Sequence, residues 1–226
     1  MKYAQAPALA LGLALSVMLA NPAHAQLSKL PFGGQGAPAA QSQGDPVANH
    51  SDFLGTFLAA RVEMNTAQLA LAKAFDLKDK VAALEAEQVA LKSGALDSDG
   101  YKKSKELSEG VTAALTERMD AGVELTVEGQ KNFIAALPPL VKGTLMTARL
   151  PAAAKAWAEA AQSAASSASM QEKMKLGLTA RTAVAVAKDM PGFTKLSIDN
   201  YKKVVGFGTA KKIAMPKDAT DALGSL

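Results

Sequence analysis

The sequence predicts an all-α fold: a compact bundle of about six to eight helices joined by short connections. Three observations carry that expectation. From residue 47 onward, apolar residues recur at helical spacing. Almost no stretch alternates with period two, so a sheet has little to be built from. Capping and stop signals then divide the helical stretch at regular intervals.

The elements follow in chain order. Residues 1–25 read as a signal peptide. Lys2 gives a thin positive start, Ala8 to Ala20 is a run of 13 apolar residues, Asn21-Pro22 breaks it, and Ala23-His24-Ala25 is a small-x-small cleavage site. As a helix that run rises only about 20 Å, short of a hydrocarbon core of about 30 Å. Residues 26–46 read as a flexible Gly/Pro/Gln linker, which cannot bury enough apolar area to offset its ordering entropy. Gly33-Gly34-x-Gly36 lacks both the preceding strand and the following Lys-Ser/Thr of a phosphate loop. A single helical domain is expected over 47–215, with 216–226 as a tail.

The first helix carries Phe53, Phe57, Met64, Leu71 and Phe75, widened by Leu54 and Leu58, with Asn49 or Ser51 as cap. Asp76 is expected to cap a second helix bearing Leu77, Val81, Leu84 and Leu91, with Gln88 in the same seam and Gly94 as its left-handed end. Asp97-Ser98-Asp99-Gly100 caps a third, with Leu107, Val111, Leu115 and Met119 at i+4 spacing, ended by Gly122. Thr126 starts a fourth, which Pro138-Pro139 is expected to end. A short piece over 140–149 follows, and Pro151 opens an alanine-rich helix whose one large side chain is Trp157. Ser169 to Glu172 is a capping box for a helix to Met190, Pro191-Gly192 reads as a turn, and a last helix is expected from Ser197. Leu125 to Lys131 parallels Leu196 to Lys202, which two capped helix starts explain. Many small residues on helix faces allow close backbone approach.

Charge is uneven. Residues 45–128 hold 15 acids and 9 bases, whereas residues 129–226 hold 6 acids and 14 bases. One reading is that the two halves pack together and partly neutralise each other. The other is an anionic-surface contact, through peripheral attachment to an anionic membrane, at Lys202, Lys203, Lys211 and Lys212, with Lys195 and Lys217 nearby. The export signal and the lack of a recognition motif argue against nucleic acid as a partner.

The inventory excludes several chemistries. With no cysteine and two histidines, of which only His50 lies beyond residue 25, the usual nitrogen and sulfur ligands of zinc are missing. His50, Ser51 and Asp52 are consecutive and do not converge as a triad. Asp97-x-Asp99-Gly100 starts like a calcium loop, but its fifth and twelfth positions are Tyr101 and Ser108. Glu85/Glu87 and Glu124/Glu128 read as solvated carboxylates. No catalytic, cofactor-binding or metal-binding residue is expected, and the protein is not expected to be an enzyme.

The functional expectation is an exported, periplasmic bundle that binds or carries an apolar ligand such as a lipid. Its groove would be walled by Phe53, Phe57, Met64, Phe133, Met146, Trp157 and Met174, with methionines giving adaptable surfaces. The alternative is a structural or protein-interaction module of the cell envelope, with a protein partner. N-terminal sequencing of the exported protein is expected to start at Gln26; a chain that keeps Met1 would contradict the processing.

Overall fold

The computed structural model describes residues 46–94, 97–167 and 170–225, with side chains described for 52–94, 97–160, 183–222 and 224. The signal peptide and nearly all of the linker expected over 1–46 lie outside these. Among the described residues the fold has six α-helices and a closing 3-10 turn, and no strand. They are α1 (Pro46–Ala74), α2 (Lys78–Lys92), α3 (Ser98–Asp120), α4 (Val127–Ser167), α5 (Met170–Ala210) and α6 (Lys217–Asp221), then Ala222–Ser225. The all-α bundle is as expected, with a helix number at the low end.

α1 is the central helix and contacts α2, α3, α4 and α5. Its sequence explains the position. Phe53, Phe57, Ala60, Met64, Ala67 and Leu71 are buried along one side, and Arg61, Asn65, Gln68 and Ala72 along another, with Phe75 buried just beyond the helix end. A helix buried around most of its circumference needs neighbours on several sides. α4 runs antiparallel to it, with Trp157 against Phe53 and Gly129 against Ala74 at opposite ends. α5 runs parallel to it, pairing Phe193 with Phe57 and Phe207 with Phe75. α3 is also parallel, and α2 antiparallel, as their hydrogen bonds to Arg61, Asn65 and Gln68 require.

The apolar core forms two clusters. One gathers Met64, Leu71, Phe75, Leu84, Val111, Leu115, Phe133, Leu137, Tyr201 and Phe207. The other gathers Phe53, Phe57, Tyr101, Leu150, Ala154, Trp157, Val186 and Met190.

Several helix ends match their sequence signals. The Asp97 carboxylate accepts the Gly100 N–H at 2.7 Å, and the Thr126 hydroxyl accepts the Gly129 N–H at 3.0 Å. Gly94 and Gly122 take φ of 72° and 63°. Asp76 does not cap α2. It has φ of 54° and closes α1, because the Leu77 N–H reaches the Ala72 carbonyl at 2.8 Å and the Asp76 N–H points to that of Lys73 at 3.4 Å. That is the double bond of a Schellman ending, and it turns Asp76 from a start signal into a stop signal. α1 begins at Pro46, so Asn49 and Ser51 lie within it rather than at its cap.

Three expected breaks are absent. α4 passes through Pro138, Pro139 and Pro151, and α5 through Pro191. Pro138, Pro151 and Pro191 lie on exposed faces, where carbonyls that lose their helical donor can turn to water or to a neighbour. Thr147, whose carbonyl would have met a donor at position 151, instead accepts the Thr194 hydroxyl at 3.4 Å. Buried residues on both sides, among them Leu137 with Leu140 and Leu150 with Ala154, tie each segment to the same core. Ser197 is consequently mid-helix and buried, and its likeness to Thr126 does not mark a helix start. The capping Ser169 lies outside the described residues.

The stretch read as a tail is docked. Tyr201 donates its hydroxyl to the Ala219 carbonyl, and Ala219 is buried in the first cluster.

Close backbone approach occurs where glycine stands opposite α1. A Cβ on Gly129 would lie 2.7 Å from the Ala74 carbonyl oxygen, and one on Gly143 would lie 2.8 Å from the Met64 sulfur. Gly129→Ala is expected to cost about 1–3 kcal/mol, because a backbone atom must yield. Gly55→Ala, with nothing within 4 Å, is expected to gain up to about 1 kcal/mol. Urea unfolding of both variants checks this; an unperturbed Gly129→Ala would refute the close approach.

Candidate functional site

The strongest local feature is a buried polar seam along α1. Arg61, Asn65 and Gln68 stand at i, i+4 and i+7, and each is 1–2% exposed. Arg61 Nη2 donates to Glu87 Oε1 at 2.7 Å, to the Ser104 carbonyl at 2.9 Å and to Ser104 Oγ at 2.5 Å. Asn65 Nδ2 donates to Glu87 Oε2 at 2.8 Å and to the Leu84 carbonyl at 3.2 Å. Gln68 Nε2 donates to Ser108 Oγ at 3.0 Å and Thr112 Oγ1 at 3.1 Å. Ser104 Oγ also donates to Glu87, so both carboxylate oxygens are engaged. Glu87 is therefore no solvated carboxylate, although its neighbour Glu85 is exposed and pairs with Lys73 at 3.0 Å. Glu87 was legible: it falls three residues after Leu84 and four before Leu91, on the buried stripe of α2.

Beside this seam, α3 and α5 enclose a cleft of about 430 Å³. α3 contributes Tyr101, Lys105 and Ser108 at i, i+4 and i+7, together with Glu109. α5 contributes Asp189, Phe193 and Leu196 at the same spacing, with Lys188 and Gly192. Arg61 reaches the cleft from α1, its guanidinium carbon 5.4 Å from the centre of the Phe193 ring. Asp189 Oδ2 accepts from Lys105 Nζ at 2.9 Å and from the Tyr101 hydroxyl at 3.1 Å, joining the two walls.

The electrostatics follow from those bonds. The Lys105 ammonium, aided by the Tyr101 hydroxyl and working against burial, holds Asp189 below the usual carboxylate range. The same carboxylate raises Lys105. Burial and then the Asp189 charge push the Tyr101 phenol upward. All three move away from neutrality, so this cluster is fixed in one protonation state at ordinary pH. No group of three or more His, Cys, Asp or Glu side chains comes together among the described residues.

The residues expected to wall an apolar groove are placed elsewhere. Met64 and Phe133 fill the first core cluster; Phe53, Phe57 and Trp157 fill the second, with Met146 packed against it. Trp157 is 4% exposed and stacks on Phe53 at 5.9 Å, anchoring α4 to α1. None of these lines the cleft. The side chain of Met174 lies outside the described residues. The lysines expected at an anionic surface are partly engaged: Lys203 pairs with Asp120 and Lys211 with Glu124, while Lys202 and Lys212 are exposed. With Lys142 on Glu63 at 2.5 Å, these pairs join the basic half of the chain to the acidic half. No helix among the described residues is long and apolar enough to cross a membrane.

No protein-family model, no curated protein and no solved structure matches this chain.

Arg61→Ala is expected to cost about 3–5 kcal/mol, because it strands the Glu87 carboxylate in the interior. The double replacement Arg61→Met with Glu87→Leu is expected to cost clearly less than Arg61→Ala alone. Denaturant unfolding of single and double variants measures the coupling, and additive losses would contradict the pairing.

Proposed function

We propose that this is an exported, non-enzymatic helical-bundle protein that binds a small molecule with an apolar body in the cleft between α3 and α5. The observation that carries the reading is the cleft itself. Aromatic and aliphatic walls from Tyr101, Phe193 and Leu196 surround a few converging polar groups, in a volume of about 430 Å³. Pockets of that size and mixed lining are the usual form of a small-molecule site. We move the ligand expectation read from the sequence from an apolar groove to this cleft, because Phe53, Phe57, Met64, Phe133 and Trp157 are spent on the core.

Two further features support binding without catalysis. The titratable cluster at Asp189 is driven away from neutrality on every member. The chain beyond residue 25 also has no cysteine and a single histidine. Export rests on the leader-like residues 1–25.

Native mass spectrometry of the mature protein, with organic extraction of what co-purifies, tests the reading. A bound small molecule is expected, and Phe193→Ala, a half-buried wall residue, is expected to release it with the helix content unchanged. A ligand retained in full by Phe193→Ala, or an apo protein held instead by a protein partner, would count against the cleft.

A further inference from the structure

We propose that the inner end of the cleft is a polar subsite built on Asn200, which takes a neutral ligand group that both donates and accepts hydrogen bonds, such as a hydroxyl or a carboxamide. This rests on the cleft being the ligand site and adds the chemistry it recognises.

Asn200 is 4% exposed, and neither its Nδ2 nor its Oδ1 has a hydrogen-bond partner among the described residues. Buried amides are seldom left so, because each unmet donor or acceptor has lost water without a replacement. Two ring contacts fix the level at which Asn200 stands. Arg61 meets Phe193, and Phe75 meets Phe207, so α1 and α5 run in step over this stretch. Gln68 and Asn200 are both midway, seven residues past the first pair and seven before the second. Seven residues are about two helical turns, so each keeps the side of its helix that faces the other.

The same position continues the cleft. Asn200 follows Asp189, Phe193 and Leu196 on the wall face of α5, one turn past Leu196. On α3, Ser108 lines the cleft and Thr112 follows it by one turn, and Gln68 bonds both hydroxyls. Beyond this level all three helices turn apolar: Leu71, Leu115 and Val204 belong to the first core cluster. Asn200 therefore stands where the cleft meets the core.

The class of ligand follows from what is left to bond. Gln68, Ser108 and Thr112 satisfy one another, with Ser108 Oγ donating back to Gln68 Oε1. The Asn200 amide keeps both donor and acceptor capacity, and a group carrying one of each matches it. Gln68, Ser108, Thr112 and Asn200 are all neutral, so a charged group set among them would leave water without a counter-charge. Tyr101, Phe193 and Leu196 offer apolar surface to the rest of the ligand.

The test compares eight-carbon probes on the mature wild-type protein: octanol, octanamide, octanoate, octylamine, and heptyl methyl ether, which accepts a hydrogen bond but donates none. Calorimetry gives the affinities. NMR follows the Asn200 side-chain amide resonances, assigned by their loss in Asn200→Leu, and their cross-peak to water. Octanol and octanamide are expected to bind about tenfold more tightly than the ether. Both are expected to shift the Asn200 resonances to saturation and to remove the water cross-peak. Asn200→Leu, of similar size but apolar, is expected to erase the preference for alcohol over ether without lowering the urea midpoint. If that variant fails to fold, the wild-type affinities and the response of the wild-type side-chain amide resonances to the probes still decide. Equal binding of alcohol, amide and ether, or tighter binding of octanoate or octylamine, would overturn the subsite and leave the cleft standing. A water cross-peak that survives saturation with octanol would assign Asn200 to internal water only, and would overturn the subsite in the same way. Absence of saturable binding by every probe would overturn both.

Discussion

Arg61 and Glu87 meet where α1, α2 and α3 converge, with side chains 2% and 7% exposed. Two charges taken this far out of water are tolerated only if their remaining hydrogen-bonding capacity is met. Here Ser104 and Asn65 complete the set, and Gln68, Ser108 and Thr112 continue it one turn further along α1. The partners are spread over three helices, with Arg61, Asn65 and Gln68 on α1, Glu87 on α2 and Ser104, Ser108 and Thr112 on α3, so the bonds form together only in one rotation of α1 and one axial register of α2 and α3. Apolar contacts alone would be far less selective, because an aliphatic side chain packs acceptably in several neighbouring positions. The seam therefore sets the register that the two apolar clusters then fill.

The long helices answer a related constraint. α4 and α5 are each 41 residues long, about 60 Å if straight, and both run through proline. An interior proline costs about 3 kcal/mol in an isolated helix. The bundle offsets that loss because α1 presents buried side chains over most of its length, from Phe53 to Ala74. A break in α4 at Pro138 or Pro151 would pull Leu137, Leu140, Leu150 or Trp157 from a core to which each already belongs. Tertiary packing overrides the local stop signal, and outward-facing prolines limit the damage to carbonyls that find other donors, as Thr147 does with Thr194.

Periodicity in the sequence exposed the core face of α1, the stripes on α2 and α3, and the caps at Asp97 and Thr126, because each depends on residues close together in the chain. The stop at Asp76 was hidden, since a left-handed aspartate and a capping aspartate look alike until the Leu77 N–H has a partner. The candidate site was hidden more deeply. Arg61 lies four residues after Phe57 and three before Met64, so its place on a buried face was readable. Its role was not, because Glu87, Ser104 and Phe193 lie 26, 43 and 132 positions away. The large apolar residues had the opposite fate. Phe53, Phe133 and Trp157 were conspicuous in an alanine-rich chain, and for that reason they were the side chains available to fill space between closely packed helices.

The cleft lies where it does because the interface of α3 changes character along its length. Toward its C-terminal end, Val111, Leu115 and Met119 pack into the first core cluster and bring α3 close to its neighbours. Toward its N-terminal end, the residues turned inward are Ser108 and Ser104, held by hydrogen bonds that fix separation instead of minimising it, and Tyr101, whose ring packs in the second cluster while its hydroxyl bonds Asp189. α5 on the far wall meets that end with Asp189 and Phe193, and Pro191 and Gly192 between them bring no large side chain across the gap. Two helices joined by an apolar seam at one end and by the Tyr101–Asp189–Lys105 bonds at the other leave a space between those attachments. The same polar residues that specify the register of the bundle therefore also hold its cleft open, and Arg61 belongs to both: its Nη2 is committed to Glu87 and Ser104, and the residue lines the cleft.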